Sequence, residues 1–128
     1  MRFMMLMLPR GYERAAAGTM PDPKGVDEMM KYNRSLKQAG VLLAMDGLHP
    51  PAAGARISFA GGRSTVSDGP FAEAKEVVGG YAIVEAPTHA DAVELATRFM
   101  ELHRQHWPEF EGESEVRPFE EMGEPAQS

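Results

Sequence analysis

An α+β fold is predicted for this chain by three observations. Apolar runs of strand length recur along it, two stretches repeat apolar residues every three or four positions, and a Gly-Gly pair separates two alternating segments. Phe3 to Leu8 is a continuous apolar run closed by Pro9, which suits a central strand covered on at least one face. Arg10 to Pro23 is rich in Gly, Ala, Pro and charge without a period. It reads either as a loop over a pocket mouth or as a connection with no function.

A first helix is expected from Lys24 to Gly40. Asp22 and Pro23 supply its cap and first turn, and Met29, Tyr32, Leu36 and Ala39 form one stripe opposite Lys31, Arg34 and Lys37. Val41 to Leu48 is a second strand interrupted by Asp46-Gly47, and His49-Pro50-Pro51 leaves it. Ala55, Ile57 and Phe59 alternate with Arg56 and Ser58, and Gly61-Gly62 leads into Arg63 to Ser67, which makes a β-hairpin. Asp68-Gly69-Pro70 reads as a tight turn that fixes the direction of Phe71.

Beyond the charged Glu73-Ala74-Lys75-Glu76, the pair Gly79-Gly80 marks a bulge or a close backbone approach. Tyr81 to Glu85 then puts Tyr, Ile and Glu on one face and Ala and Val on the other, and the smaller face suits a closely packed helix. Thr88-His-Ala-Asp91 has capping-box form. The helix it opens carries Ala92, Leu95, Ala96, Phe99 and Met100 as its stripe and runs to about Trp107, before Pro108. Ser114 to Phe119 is the last strand. The order strand, helix, strand, hairpin, strand, helix, strand is ferredoxin-like with an inserted hairpin: two helices on one face of one sheet, the other face bare. An apolar sheet face of that size is hidden against a second copy, so a homodimer is expected.

At 128 residues the chain fits one domain, 1–120, with a polar tail at 121–128. A net charge of −6 argues against nucleic acid, whose binding needs clustered Lys and Arg. With no cysteine, thiolate metal sites, disulfides and a Cys nucleophile are excluded. The apolar start is too short for a membrane span and lacks the form of a secretory signal, from which a cytoplasmic location and no membrane partner are expected. There is no phosphate loop or dinucleotide fingerprint, so no cofactor is expected.

Candidate site residues follow from charge in apolar surroundings. Asp46 interrupts a strand, so it is either a turn residue or a site carboxylate. Arg117 stands between Val116 and Pro118 in the last strand. Its guanidinium can take a ligand carboxylate or an internal acid such as Asp46, Asp68 or Glu76. Asp68 either stabilises its turn or acts as a base, and Tyr81 is either a core residue or a phenolic donor in a pocket. His103 and His106 share a side of the second helix. They lack the zincin form and a third ligand, so no metal is assigned, and whether they face a pocket beside Trp107 stays open.

Asp68-Gly69-Pro70-Phe71, Lys75-Glu76, Gly79-Gly80-Tyr81 and Glu115-Val116-Arg117-Pro118, in this order, resemble the YCII-related proteins, in particular the branch named for its DGPF motif. The resemblance implies a ferredoxin-like sheet that pairs into a dimeric α/β barrel. Relatives of that fold are similar to muconolactone isomerases and to a lyase that dehalogenates chlorinated aromatics, in which a His/Asp pair moves a proton. In YCII proteins proper that histidine stands on the first helix. Lys24 to Gly40 has none, so the pair does not carry over. His49 with Asp46 is the substitute, although a strand-like backbone would turn the two to opposite faces.

The leading expectation is therefore binding of a small organic acid or aromatic by Arg117, Tyr81 and Phe71. A lyase or isomerase using Asp46, His49 or Asp68 is the second reading. The resemblance implies a third, a regulatory module beside sigma factors, which an appended helix-turn-helix segment would have supported.

Overall fold

The computed structural model describes residues 1–16, 18, 23–71 and 77–120. Asp22, the Glu73 to Glu76 segment and the 121–128 tail lie outside them. Four strands form one antiparallel sheet: β1 (Arg2–Pro9), β2 (Leu42–Gly47), β5 (Gly80–Glu85) and β6 (Gly112–Pro118), in the order β2-β5-β1-β6. β3 (Ala55–Ala60) and β4 (Arg63–Asp68) form a separate two-stranded sheet. α1 (Val26–Gln38) follows a 3-10 turn at Pro23–Gly25, and α2 (His89–His106) joins β5 to β6. This is the ferredoxin-like α+β arrangement with the hairpin inserted between β2 and β5.

Direct cross-strand partners share a face of an antiparallel sheet, so register defines both surfaces. Phe3 stands opposite Val84, and Val84 opposite Leu42; Met5 stands between Ala82 and Val116, and Ala82 pairs with Met45. These residues meet Ala92 and Ala96 of α2 and Leu36 of α1, so both helices cover the same face. Phe3 is 1% exposed and Ala92 0%. The helix can come this close because Ala82 and Ala92 offer only methyl groups. Thr88 caps α2, its hydroxyl accepting from the Asp91 amide at 3.1 Å and donating to the Asp91 carboxylate at 2.8 Å.

The other face carries Met4, Leu6, Ile83 and Tyr81, and among the described residues no helix lies upon it. The hairpin does not cover it either. Every residue of β3 and β4 is exposed, Ile57 at 65% and Phe59 at 75% among them. Its turn uses Gly61 and Gly62 at φ 59° and 75°, the left-handed region that only glycine adopts freely.

Glycine plays a different part at two other places. Gly69 is not in the positive-φ region expected of a glycine in a tight turn. Its amide donates to the Gly54 carbonyl, and a Cβ there would fall 1.6 Å from the Pro51 oxygen, so close backbone contact is what requires glycine. At Gly79 a Cβ would meet the Pro9 ring at 2.8 Å. Close approach holds at Gly79, and the register irregularity falls instead between Leu42 and Ala44.

Candidate functional site

The face under the helices changes character along its length. From one end to the other, the inward positions read Val84, Ala82, Gly80 on β5; Leu42, Met45, Gly47 on β2; and, beginning one row further along, Val116, Ser114, Gly112 on β6. Three of four strands taper to glycine at the same end, and the fourth, β1, ends in Met7 and Pro9. Meanwhile α2 turns from alanine to Phe99, His103 and Trp107. A layer whose floor loses its side chains cannot fill the space under such a roof, and a cavity of about 590 Å³ results.

Tyr12, Leu48 and Phe110 complete the walls. The Tyr12 hydroxyl donates to the Leu48 carbonyl at 2.6 Å, tying the segment after β1 to the end of β2, and burial pushes its pKa up. Trp107 is held from behind. A Cβ on Gly25 would fall 2.5 Å from the His106 Cβ and 2.9 Å from the Trp107 ring, so the turn leading into α1 rests directly on the end of α2.

His103 stands among three aromatic rings, with centroids at 4.7 Å from Phe99, 5.2 Å from Trp107 and 5.3 Å from Phe110. Its Nδ1 donates to the Phe99 carbonyl one turn back at 3.3 Å. That bond assigns the proton to Nδ1 and leaves Nε2 a bare acceptor. Burial pushes the imidazole pKa down; the Phe99 bond opposes this, and the neighbouring His106 adds to it. A neutral ring is the result.

The residues singled out from sequence separate into three places. His49 borders the cavity, and Asp46 and Tyr81 touch it as well. In Asp46 and Tyr81 the contact is through the strand. They are direct partners in a row with Leu6 and Glu115, between inward-facing neighbours, so the pleat carries their side chains to the bare face. There the Tyr81 hydroxyl donates to Asp46 Oδ2 at 3.4 Å. Arg117 is on that same face, one row along with Met4 and Ile83. It meets none of the acids named for it from sequence within the described residues. Its partner is Glu115, at 4.0 Å with the Arg117 side chain 71% exposed, a weak surface pair.

Asp68 ends β4 in the exposed hairpin. Phe71 lies under the Arg56 guanidinium at 4.1 Å, beside a shallow pocket with Glu13 and Arg14. Strand alternation had separated His49 from Asp46. β2 ends at Gly47, so His49 lies beyond that alternation and borders the cavity, while the Asp46 side chain stays on the bare face with Tyr81, and His49 and Asp46 form no pair. Sequence reasoning missed Tyr12, Phe110 and the orientation of His103. The signal available was the recurrence Phe99, His103, Trp107 at helical spacing.

A larger, shallower groove of about 880 Å³ runs between α2 and β6, past the ion pair of Arg10 with Glu111. It lacks the aromatic enclosure of the smaller cavity. Among the described residues no three His, Asp or Glu side chains group to hold a metal ion, and no helix is long and apolar enough to cross a membrane.

The fold and cavity define an α+β domain whose four-stranded main sheet has ferredoxin-like topology, with a half-open, aromatic-lined site under its helices. Residues 1–103 match the model of the YCII-related domain, which covers most of the chain, and the protein belongs to that family. No curated protein matches the sequence.

Proposed function

We propose that this protein binds a small aromatic molecule in the cavity between sheet and helices. The observation that carries the reading is the convergence of Phe99, Trp107, Phe110 and Tyr12 around a space of ligand size. No Lys or Arg is among the lining residues described, and the one acid there, Asp46, points its side chain elsewhere. An uncharged wall favours an aromatic ligand over the organic acid that Arg117 suggested, since a buried carboxylate would lack a partner. The DGPF branch assignment rests on Asp68 to Phe71 and belongs to the same proposal.

Proton transfer by a lyase or isomerase is a second reading, favoured by one observation: the bare Nε2 of a neutral imidazole at the cavity wall. One experiment covers both. A panel of neutral aromatic compounds should raise the melting temperature of the wild type with increasing concentration. It should fail to do so in Ser114→Phe, which fills the cavity from β6. If no compound stabilises the wild type, or the filled variant responds equally, binding in this cavity is wrong. Exchange of a ligand C–H with solvent deuterium during the same incubations distinguishes catalysis from binding.

The bare sheet face fits a second copy. Met4, Leu6 and Ile83 form a half-buried apolar centre, with Asp46 on the β2 side and Arg117 on the β6 side. A two-fold pairing that sets β2 against β6 of the twin brings these opposite charges together. Light scattering at micromolar concentration should give twice the chain mass, and Leu6→Glu should return a monomer. A monomeric wild type would exclude the pairing.

A further inference from the structure

We propose that His103 selects the ligand of this cavity, and that the ligand is a neutral aromatic molecule carrying an O–H or N–H that donates to His103 Nε2. The proposal rests on the cavity being the binding site and names the chemistry it accepts.

Several polar groups at the wall are already engaged. The Tyr12 hydroxyl hydrogen is used on the Leu48 carbonyl, and the His103 Nδ1 hydrogen on the Phe99 carbonyl. The Asp46 carboxylate and Tyr81 hydroxyl engage one another on the far face of the sheet. Trp107 aside, three side-chain groups remain at the described wall: His49 and Ser114, each able to donate or accept, and His103 Nε2, which can only accept.

The three differ in how firmly they are placed. His49 lies beyond the end of β2 and is exposed, and Ser114 stands on the edge strand β6 with a freely rotating hydroxyl. His103 is fixed by its helix, by the bond to Phe99 and by three ring contacts. A fixed acceptor in an apolar surround discriminates strongly, because a ligand that leaves it unpaired forfeits its bond to water without replacement. The faces of Trp107 and Phe110 beside it suit a flat apolar body. A ligand that only accepts hydrogen bonds places lone pair against lone pair, and a carboxylate adds a charge that no Lys or Arg among the described lining residues balances.

The test uses three compounds of one shape: α-naphthol, its methyl ether and α-naphthoate. The chain has one tryptophan, so the indole N–H of Trp107 gives a single resolved signal in a proton–nitrogen correlation spectrum and reports occupancy directly. At neutral pH naphthol should bind about fivefold to tenfold tighter than the methyl ether, the worth of one hydrogen bond, with naphthoate the weakest. In His103→Phe, which keeps the ring and removes the acceptor, naphthol and ether should bind alike.

Equal binding of naphthol and ether to the wild type would overturn the proposal and leave the cavity intact as a site. So would naphthoate binding tightest, or a naphthol advantage that survives in His103→Phe. If none of the three moves the Trp107 signal, the cavity reading fails and the proposal fails with it. The wild-type comparison stands whether or not the variant folds.

Discussion

The two ends of the helix-covered sheet face are built from the same four strands and the same second helix, yet one is solid and the other hollow. At the solid end Phe3, Val84, Leu42, Ala92 and Ala96 fill the layer. At the hollow end Gly80, Gly47 and Ser114 underlie Phe99, His103 and Trp107, and the layer leaves a half-open space of about 590 Å³. Topology does not distinguish the ends. Side-chain size does, through a taper toward the same end on three strands, of which β2 runs opposite to β5 and β6. The solid end supplies stability and the hollow end a site, because close packing is what the hydrophobic core needs and what a ligand pocket must locally forgo.

The largest test of that division removes one apolar side chain from each end. Phe3→Ala should cost about 3–5 kcal/mol, since a fully enclosed ring leaves a cavity its neighbours cannot close. Leu48→Ala, on the cavity rim with 44% of the residue exposed, should cost less than about 1 kcal/mol. Urea unfolding of both variants, read by midpoint at constant slope, measures the difference. Similar costs would mean that the two ends share one continuous packing, and the contrast would be withdrawn.

The elements were legible in the sequence because each is announced locally. Thr88 to Asp91 marks the start of α2, Gly61-Gly62 the hairpin, and Tyr81 to Glu85 alternates visibly. The bare sheet face was legible too, from the element order and the two helix stripes. The cavity was not, and the reason is physical. The taper Val84, Ala82, Gly80 can be read along one strand, but its coincidence with Leu42, Met45, Gly47 and Val116, Ser114, Gly112 exists only once register is fixed. Arg117 illustrates the same limit. Its charge in an apolar string was conspicuous, yet period-two alternation across an edge strand lets such a residue face away from the core at no cost. Gly69 was read as a turn glycine because Asp-Gly-Pro is turn chemistry, whereas its requirement comes from Pro51, a residue distant in sequence.

The smallest effect separates the two ends by protonation. The solid end carries the exposed His89 edge-on to Phe3, while the hollow end holds the more buried His103, whose pKa is lowered first by burial and further by His106, against the opposing bond to Phe99. His106 shares its helix; Tyr12, His49 and the strand bearing Asp46 and Tyr81 border the same space. A histidine with a folded pKa below its ordinary value of 6.5 binds fewer protons folded than unfolded in the interval between the two. Stability from this group is therefore complete above that ordinary value and is lost as pH falls through the lowered one. Urea midpoints followed downward from neutral pH should fall more steeply for the wild type than for His103→Gln, whose side chain does not titrate. Parallel profiles would show that His103 exchanges protons with solvent as freely folded as unfolded. Its ring would then be open to water, and the enclosure that sets the hollow end apart from the surface would be absent.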